Sequence, residues 1–163
     1  MFSGSTLTRS IVFAALVSLI IVVAGCGDGV PTYDLVPVTG IVKLNGTPLA
    51  DADVQFVYEG GNAPPQYAGS TGKTDPNGKY ELVTNAQKGC VEGKFKVVIS
   101  KWTDAQGNTV INDPEKGMDL EQMKMQGQAV QFIPPAYSSL EQTKLTADVS
   151  AGKADGYDFE LTK

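Results

Sequence analysis

The groups able to do covalent chemistry in this chain are few. Two thiols, Cys26 and Cys90, stand among eighteen carboxylates and twelve lysines with no histidine at all. The usual general base near neutral pH and the commonest metal ligand are therefore missing. No Ser-His or Cys-His nucleophile can be assembled, and zinc has no adequate ligand set. The acid pairs Asp51/Asp53 and Asp158/Glu160 would be the starting point for carboxylate chemistry, but a spacing of two places each pair on the solvated face of a strand. Asp75-Pro76-Asn77-Gly78 offers oxygens to a hard cation but lacks the further ligands of a calcium loop, so it reads as a hairpin turn. Positive φ is expected there at Asn77. Cys26 has the unusual setting. It follows Val23-Ala24-Gly25 at the end of an apolar run from Ile11 to Ala24, broken only by Ser18, and Met1 to Ser10 carries Arg9 and no acid. As a helix rising about 1.5 Å per residue, that run falls short of a ~30 Å hydrocarbon core, the layout of an export signal.

Val23-Ala24-Gly25-Cys26 resembles the bacterial lipobox, in which Leu or Val and two small residues precede a cysteine. The resemblance implies cleavage between Gly25 and Cys26, diacylglycerol on the Cys26 sulfur and a further acyl chain on its new amino group. Two or three chains make a stable tether, since each buried methylene contributes about 0.8 kcal/mol. The competing reading is an ordinary signal cut near Ala24, or an uncleaved anchor, with Cys26 incidental. Lipidation leaves Cys90 unpaired and expected to be a buried small hydrophobe; without lipidation, a Cys26–Cys90 bridge is the rival. Residues 26–163 carry all eighteen acids and a formal charge of about −6, which gives nucleic acid nothing to bind. No Lys/Arg cluster follows Cys26, so attachment to the membrane rests on acyl chains alone.

Past a Gly/Pro-containing linker at 26–36, the hydrophobic period becomes two. Val36, Val38, Gly40, Val42 and Leu44 share one face; so do Ala52, Val54, Phe56 and Tyr58, then Tyr80, Leu82 and Thr84. Phe95, Val97 and Ile99 follow, and near the end Leu145, Ala147 and Val149, then Tyr157, Phe159 and Leu161. Such alternation predicts strands with one wet and one dry face. Asn45-Gly46, Asp75 to Gly78 and Ala151-Gly152-Lys153 supply turns between them. Gly69 to Thr74, small and polar, is expected to pair with 79–84. Together these predict an all-β fold, a single antiparallel sandwich of about seven strands. The segment at about 103–131 breaks the rhythm and reads as an insertion with two helical turns, capped at Asp113 or Asp119.

The run from Val36 to Phe56, with Pro48, Leu49, Ala50, Ala52, Val54 and Phe56 in place, resembles the opening of the carboxypeptidase regulatory-like domain, a transthyretin-related sandwich. Thr74, Asp75, Gly78 and Tyr80 fit its second motif, and Gly93, Phe95 and Val97 its third. With the lipobox and the closing segment around Ile133-Pro134 and Tyr137, the chain is similar to small lipoproteins of planctomycete-like bacteria. The resemblance implies a signal at 1–25, a lipidated linker at 26–36 and a sandwich at 37–163. The transthyretin-like purine-pathway hydrolases of that family depend on histidines, which this chain lacks. The motifs specify turns and core, so they speak to fold more than to function. The expectation is a non-enzymatic envelope lipoprotein on the non-cytoplasmic face of a membrane. Its sandwich would be a structural or protein-interaction module with no cofactor beyond the lipid on Cys26. The alternative is a glycan- or peptide-binding module using the insertion and Trp102, Tyr58, Tyr67 and Tyr137, although Trp102 reads better as packing at the sandwich end. A hydrolase built on two converging acids is the third class.

Overall fold

Each alternating run becomes a strand. The computed structural model describes residues 33–60, 65–110, 119–153 and 156–163, all within one compact unit, Tyr33–Lys163. The strands are β1 (Thr39–Leu44), β2 (Thr47–Pro48), β3 (Asp53–Gly60), β4 (Gly69–Lys73), β5 (Lys79–Glu81), β6 (Val83–Thr84) and β7 (Gln87–Lys88). They continue with β8 (Gly93–Ser100), β9 (Trp102–Thr103), β10 (Val130–Gln131), β11 (Thr146–Val149) and β12 (Phe159–Leu161). The seven expected strands are present, β5 and β6 being two halves of the 79–84 run; the two-residue strands are additions.

Two sheets pack face to face. One has the order β12-β1-β2 with β5 also on β1, and the other runs β11-β8-β3-β4-β6-β7. The 79–84 run changes sheets at Leu82: Tyr80 pairs with Gly40 of β1, whereas Val83 pairs with Thr71 of β4. Alternation along β3 puts Val54 and Phe56 fully inside, and Phe56 joins the layers. Its ring lies 5.7 Å from Phe95 in its own sheet and 6.2 to 6.4 Å from Tyr80, Tyr157 and Phe159 on the opposite side. Rings at these spacings add attraction beyond the area they bury. Pairing is antiparallel with one exception among the described residues: β12 lies parallel to β1, Val42 opposite Phe159 and Leu44 opposite Leu161.

Turn chemistry holds with one correction. Asn45 (φ 50°) and Gly46 (φ 77°) take the two left-handed positions of a tight hairpin. In the Asp75–Gly78 turn the positive φ belongs to Gly78 (73°) and not to Asn77. Asp75 Oδ1 accepts the N–H groups of Asn77 and Lys79, and Gly78 N–H donates to the Asp75 carbonyl, an ordinary turn that leaves only its last residue left-handed. Asn85 and Ala86 form a second left-handed pair that the sequence hides, because alanine seldom marks such a turn.

Val36, first in the opening alternating run, exchanges both backbone hydrogen bonds with Cys90; just before it Leu35 packs on the core, and the Tyr33 ring lies 5.0 Å from that of Tyr67. The insertion closes on itself through β9 and β10, Trp102 opposite Gln131 and Thr103 opposite Val130. Inside it is the helix α1 (Leu120–Met125), capped by Asp119, whose Oδ1 accepts the Gln122 N–H at 3.0 Å. Asp113 lies outside the described residues. A second short helix, α2 (Pro135–Ser138), was not expected; Pro135 at its first turn gives up an N–H that no helical carbonyl would have used.

Candidate functional site

Gly25 and Cys26, the expected cleavage and lipidation site, lie outside the described residues. The candidate aromatics do not form one platform. β3 runs from Asp53, opposite Ser100 and Lys73, to Tyr58 and Gly60, opposite Phe95 and Lys94. Trp102 lies past the first end of that ladder. Tyr67 lies past the other, where the Tyr58 N–H donates to the Ala68 carbonyl. Eight residues of strand separate the two by on the order of 25 Å. Tyr67 is moreover buried in the core under Tyr33, which removes it from any exposed surface. Tyr58 is half-buried, its ring 5.2 Å from Phe95.

Trp102 and Tyr137 share the insertion end. The indole is half-buried and carries the Lys124 ammonium 4.3 Å from its ring centroid, with the ammonium also 2.6 Å from Glu121. The insertion thus folds α1 back over the residue at its own base, through a cation held on the indole face. The Tyr137 hydroxyl meets the Thr162 hydroxyl at 3.1 Å and accepts the Thr162 N–H; these bonds hold it below the ordinary tyrosine pKa. Sequence reasoning missed the residue between them. Phe132 is 37% exposed, with Lys163 Nζ 3.4 Å and Lys101 Nζ 5.9 Å from its ring. It lines a groove of about 370 Å³ with Leu44, Leu49 and Lys101, whose ammonium donates to the Ala50 carbonyl at 2.8 Å. Phe132 alternates with exposed Val130 two residues earlier, and that pattern was the available signal.

Several of the acids hold backbone amides or a lysine. Asp53 pairs with Lys73 directly across the strand at 2.8 Å. Asp158 accepts the Ile41 N–H at 2.7 Å, and Glu160 accepts the Gly46 N–H at 2.6 Å. Asp75 turns an oxygen to two amides of its own turn. Asp104 does likewise in a loop that sequence reasoning left unread: it accepts the amides of Gln106 and Asn108 and the Asn108 side chain. Chiefly that side chain holds its carboxyl below the usual range. Among the described residues no three acids or thiols gather as a metal-binding group.

Cys90 is fully buried, as expected of an unpaired thiol, and burial pushes its pKa up to about 12. Its neighbours form a directed chain. The Thr84 hydroxyl donates to the Gly89 carbonyl at 2.7 Å, so its 2.6 Å contact with Ser70 is donated by Ser70, since a hydroxyl has one proton to give. Burial, and not this hydrogen-bonded chain, keeps the thiol protonated, since the Ser70 hydrogen bond acts in the opposite direction. No family model, curated protein or solved structure significantly matches this chain in the comparisons with known proteins.

Proposed function

We propose that this chain is a non-enzymatic lipoprotein of the cell envelope, anchored through acyl chains on Cys26 at a membrane's non-cytoplasmic face, with its sandwich acting as a structural or protein-interaction module. One observation carries the reading. The apolar run ending in Val23-Ala24-Gly25-Cys26 is followed within seven residues by Tyr33, where a folded β-domain begins. That juxtaposition suits a tether joined to a rigid body. Three of the four acids in the candidate pairs, Asp53, Asp158 and Glu160, hold a lysine or a backbone amide, which favours a scaffold over a catalyst. The partner expected is another envelope component, not nucleic acid, in keeping with the acidic balance.

Mass spectrometry of the N-terminus of membrane-purified protein tests the reading. The expected species begins at Cys26 and carries the mass of two or three acyl chains, and a Cys26→Ala variant moves to the soluble envelope fraction. A mature chain beginning elsewhere, or an unmodified Cys26, overturns it.

A further inference from the structure

The chain enters the sandwich at one end and the insertion leaves from the other. Tyr33 lies tilted against Tyr67, and Val36 pairs with Cys90, at the end where Asn85 also donates to the Gln66 carbonyl. β1 then carries the chain away: Thr39 opposite Glu81, Ile41 opposite Lys79, and Leu44 opposite Leu161 at the far end. That far end holds Lys101, Phe132 and Lys163, with Leu44 and Leu49 lining the groove beside Phe132. From Val36 to Leu44 a strand rise of about 3.3 Å per residue covers roughly 26 Å. A chain extends by at most ~3.6 Å per residue, so seven residues keep Cys26 within about 25 Å of Tyr33.

We infer that the lipid surface faces the Tyr33–Tyr67 end and that the Trp102–Phe132 end projects away from it. This rests on the Cys26 anchor proposed above. Bringing the insertion end down onto the headgroups would lift the entry end by the span from Val36 to Leu44, roughly 26 Å. The connecting chain would then be drawn to its limit, with every backbone torsion confined to the extended basin. Tyr33, 37% exposed and lying against Tyr67, gives the lipid-facing end an aromatic with an apolar body and a polar tip, the kind of side chain suited to a membrane–water boundary. The exposed Val130 and Phe132, with Lys101 and Lys163 beside the Phe132 ring, are left facing the envelope space.

Energy transfer reads this directly, because Trp102 is the only tryptophan in the chain. Full-length lipidated protein is reconstituted into phosphatidylcholine vesicles containing a dansyl-headgroup lipid, and transfer from Trp102 is measured. The same is done for two variants in a Trp102→Phe background, Tyr33→Trp at the entry end and Phe132→Trp at the insertion end. Transfer from position 33 is expected to exceed that from 102 and from 132 by about twofold or more, given ends separated by roughly 26 Å. Equal transfer from all three, or stronger transfer from 102 or 132, overturns the orientation while leaving the anchor intact. Protein that carries no acyl mass and does not float with vesicles overturns the anchor, and the orientation with it.

Discussion

The Asp158 carboxylate accepts the backbone N–H of Ile41, 117 positions away, at 2.7 Å. A ladder carbonyl would ordinarily fill that place, and the neighbouring Tyr157 carbonyl has been drawn elsewhere. It takes the Tyr80 hydroxyl at 2.7 Å and lies over Gly40, where a Cβ would stand 2.0 Å from its oxygen. The parallel pairing of β12 with β1 therefore begins regularly only at Val42 and Phe159, and a side chain supplies the acceptor just before it. What looked in the sequence like one member of an exposed acid pair is the clip that holds the closing strand.

This clip sets a graded series of variants. Asp158→Ala should cost about 1 kcal/mol, the net worth of one such hydrogen bond, and Asp158→Asn less, because its amide oxygen still accepts. Tyr80→Phe should cost about 1–3 kcal/mol by leaving a buried carbonyl short of its donor. Gly40→Ala should cost most, since the Tyr157 backbone must move to admit a methyl. Urea melts check the order; equal midpoints for all four would refute it.

The Asp75–Gly78 turn separates two adjacent substitutions. Gly78→Ala forces a side chain into φ 73° and against the Val42 carbonyl 2.4 Å away, so a loss above about 1 kcal/mol is expected. Asn77→Val acts at a residue without positive φ and should change stability by no more than about 0.5 kcal/mol, the usual range for a surface site. Thermal denaturation of the pair decides between this assignment and one that places the strain at Asn77.

Cys90 makes stability fall on the alkaline side. Burial raises its folded pKa from an ordinary 9.0 to about 12, so above pH 9 the unfolded chain sheds a proton that the folded one retains. The stabilisation is complete below pH 9 and declines toward pH 12 with a slope approaching 1.4 kcal/mol per pH unit from this thiol. Tyr80, raised chiefly by its own burial and then by Asp158, adds in the same direction above pH 10. Cys90→Ala should flatten the decline between pH 9 and 10, and denaturant titrations at stepped pH would reveal an unchanged slope if the thiol were exposed.

Asp119→Ala tests the packing of the insertion. Loss of the cap bond to Gln122 should weaken α1 by about 1 kcal/mol and loosen Lys124 from the indole. Trp102 emission should shift to the red and become more accessible to acrylamide while the global melting temperature holds, because neither α1 nor Trp102 belongs to the main core. Unchanged emission would mean that Trp102 is held independently of α1.

The alternating strands, the Asn45-Gly46 turn, Asp119 as one of two candidate caps and the burial of Cys90 were all legible in the sequence. Each depends on neighbours within a few positions: a period of two, a left-handed turn residue, a carboxylate three residues before an amide, an apolar setting for a thiol. Tertiary structure alone decided that β12 runs parallel beside β1, that Tyr157 gives its carbonyl to Tyr80, and that Asp158 takes over the vacated place. It likewise put Tyr67 under Tyr33, far from Trp102, and brought Lys163 onto Phe132. These relationships join residues tens to more than a hundred positions apart. No local pattern encodes them, because which distant strand reaches a given edge is settled by how the two apolar faces fit around Phe56.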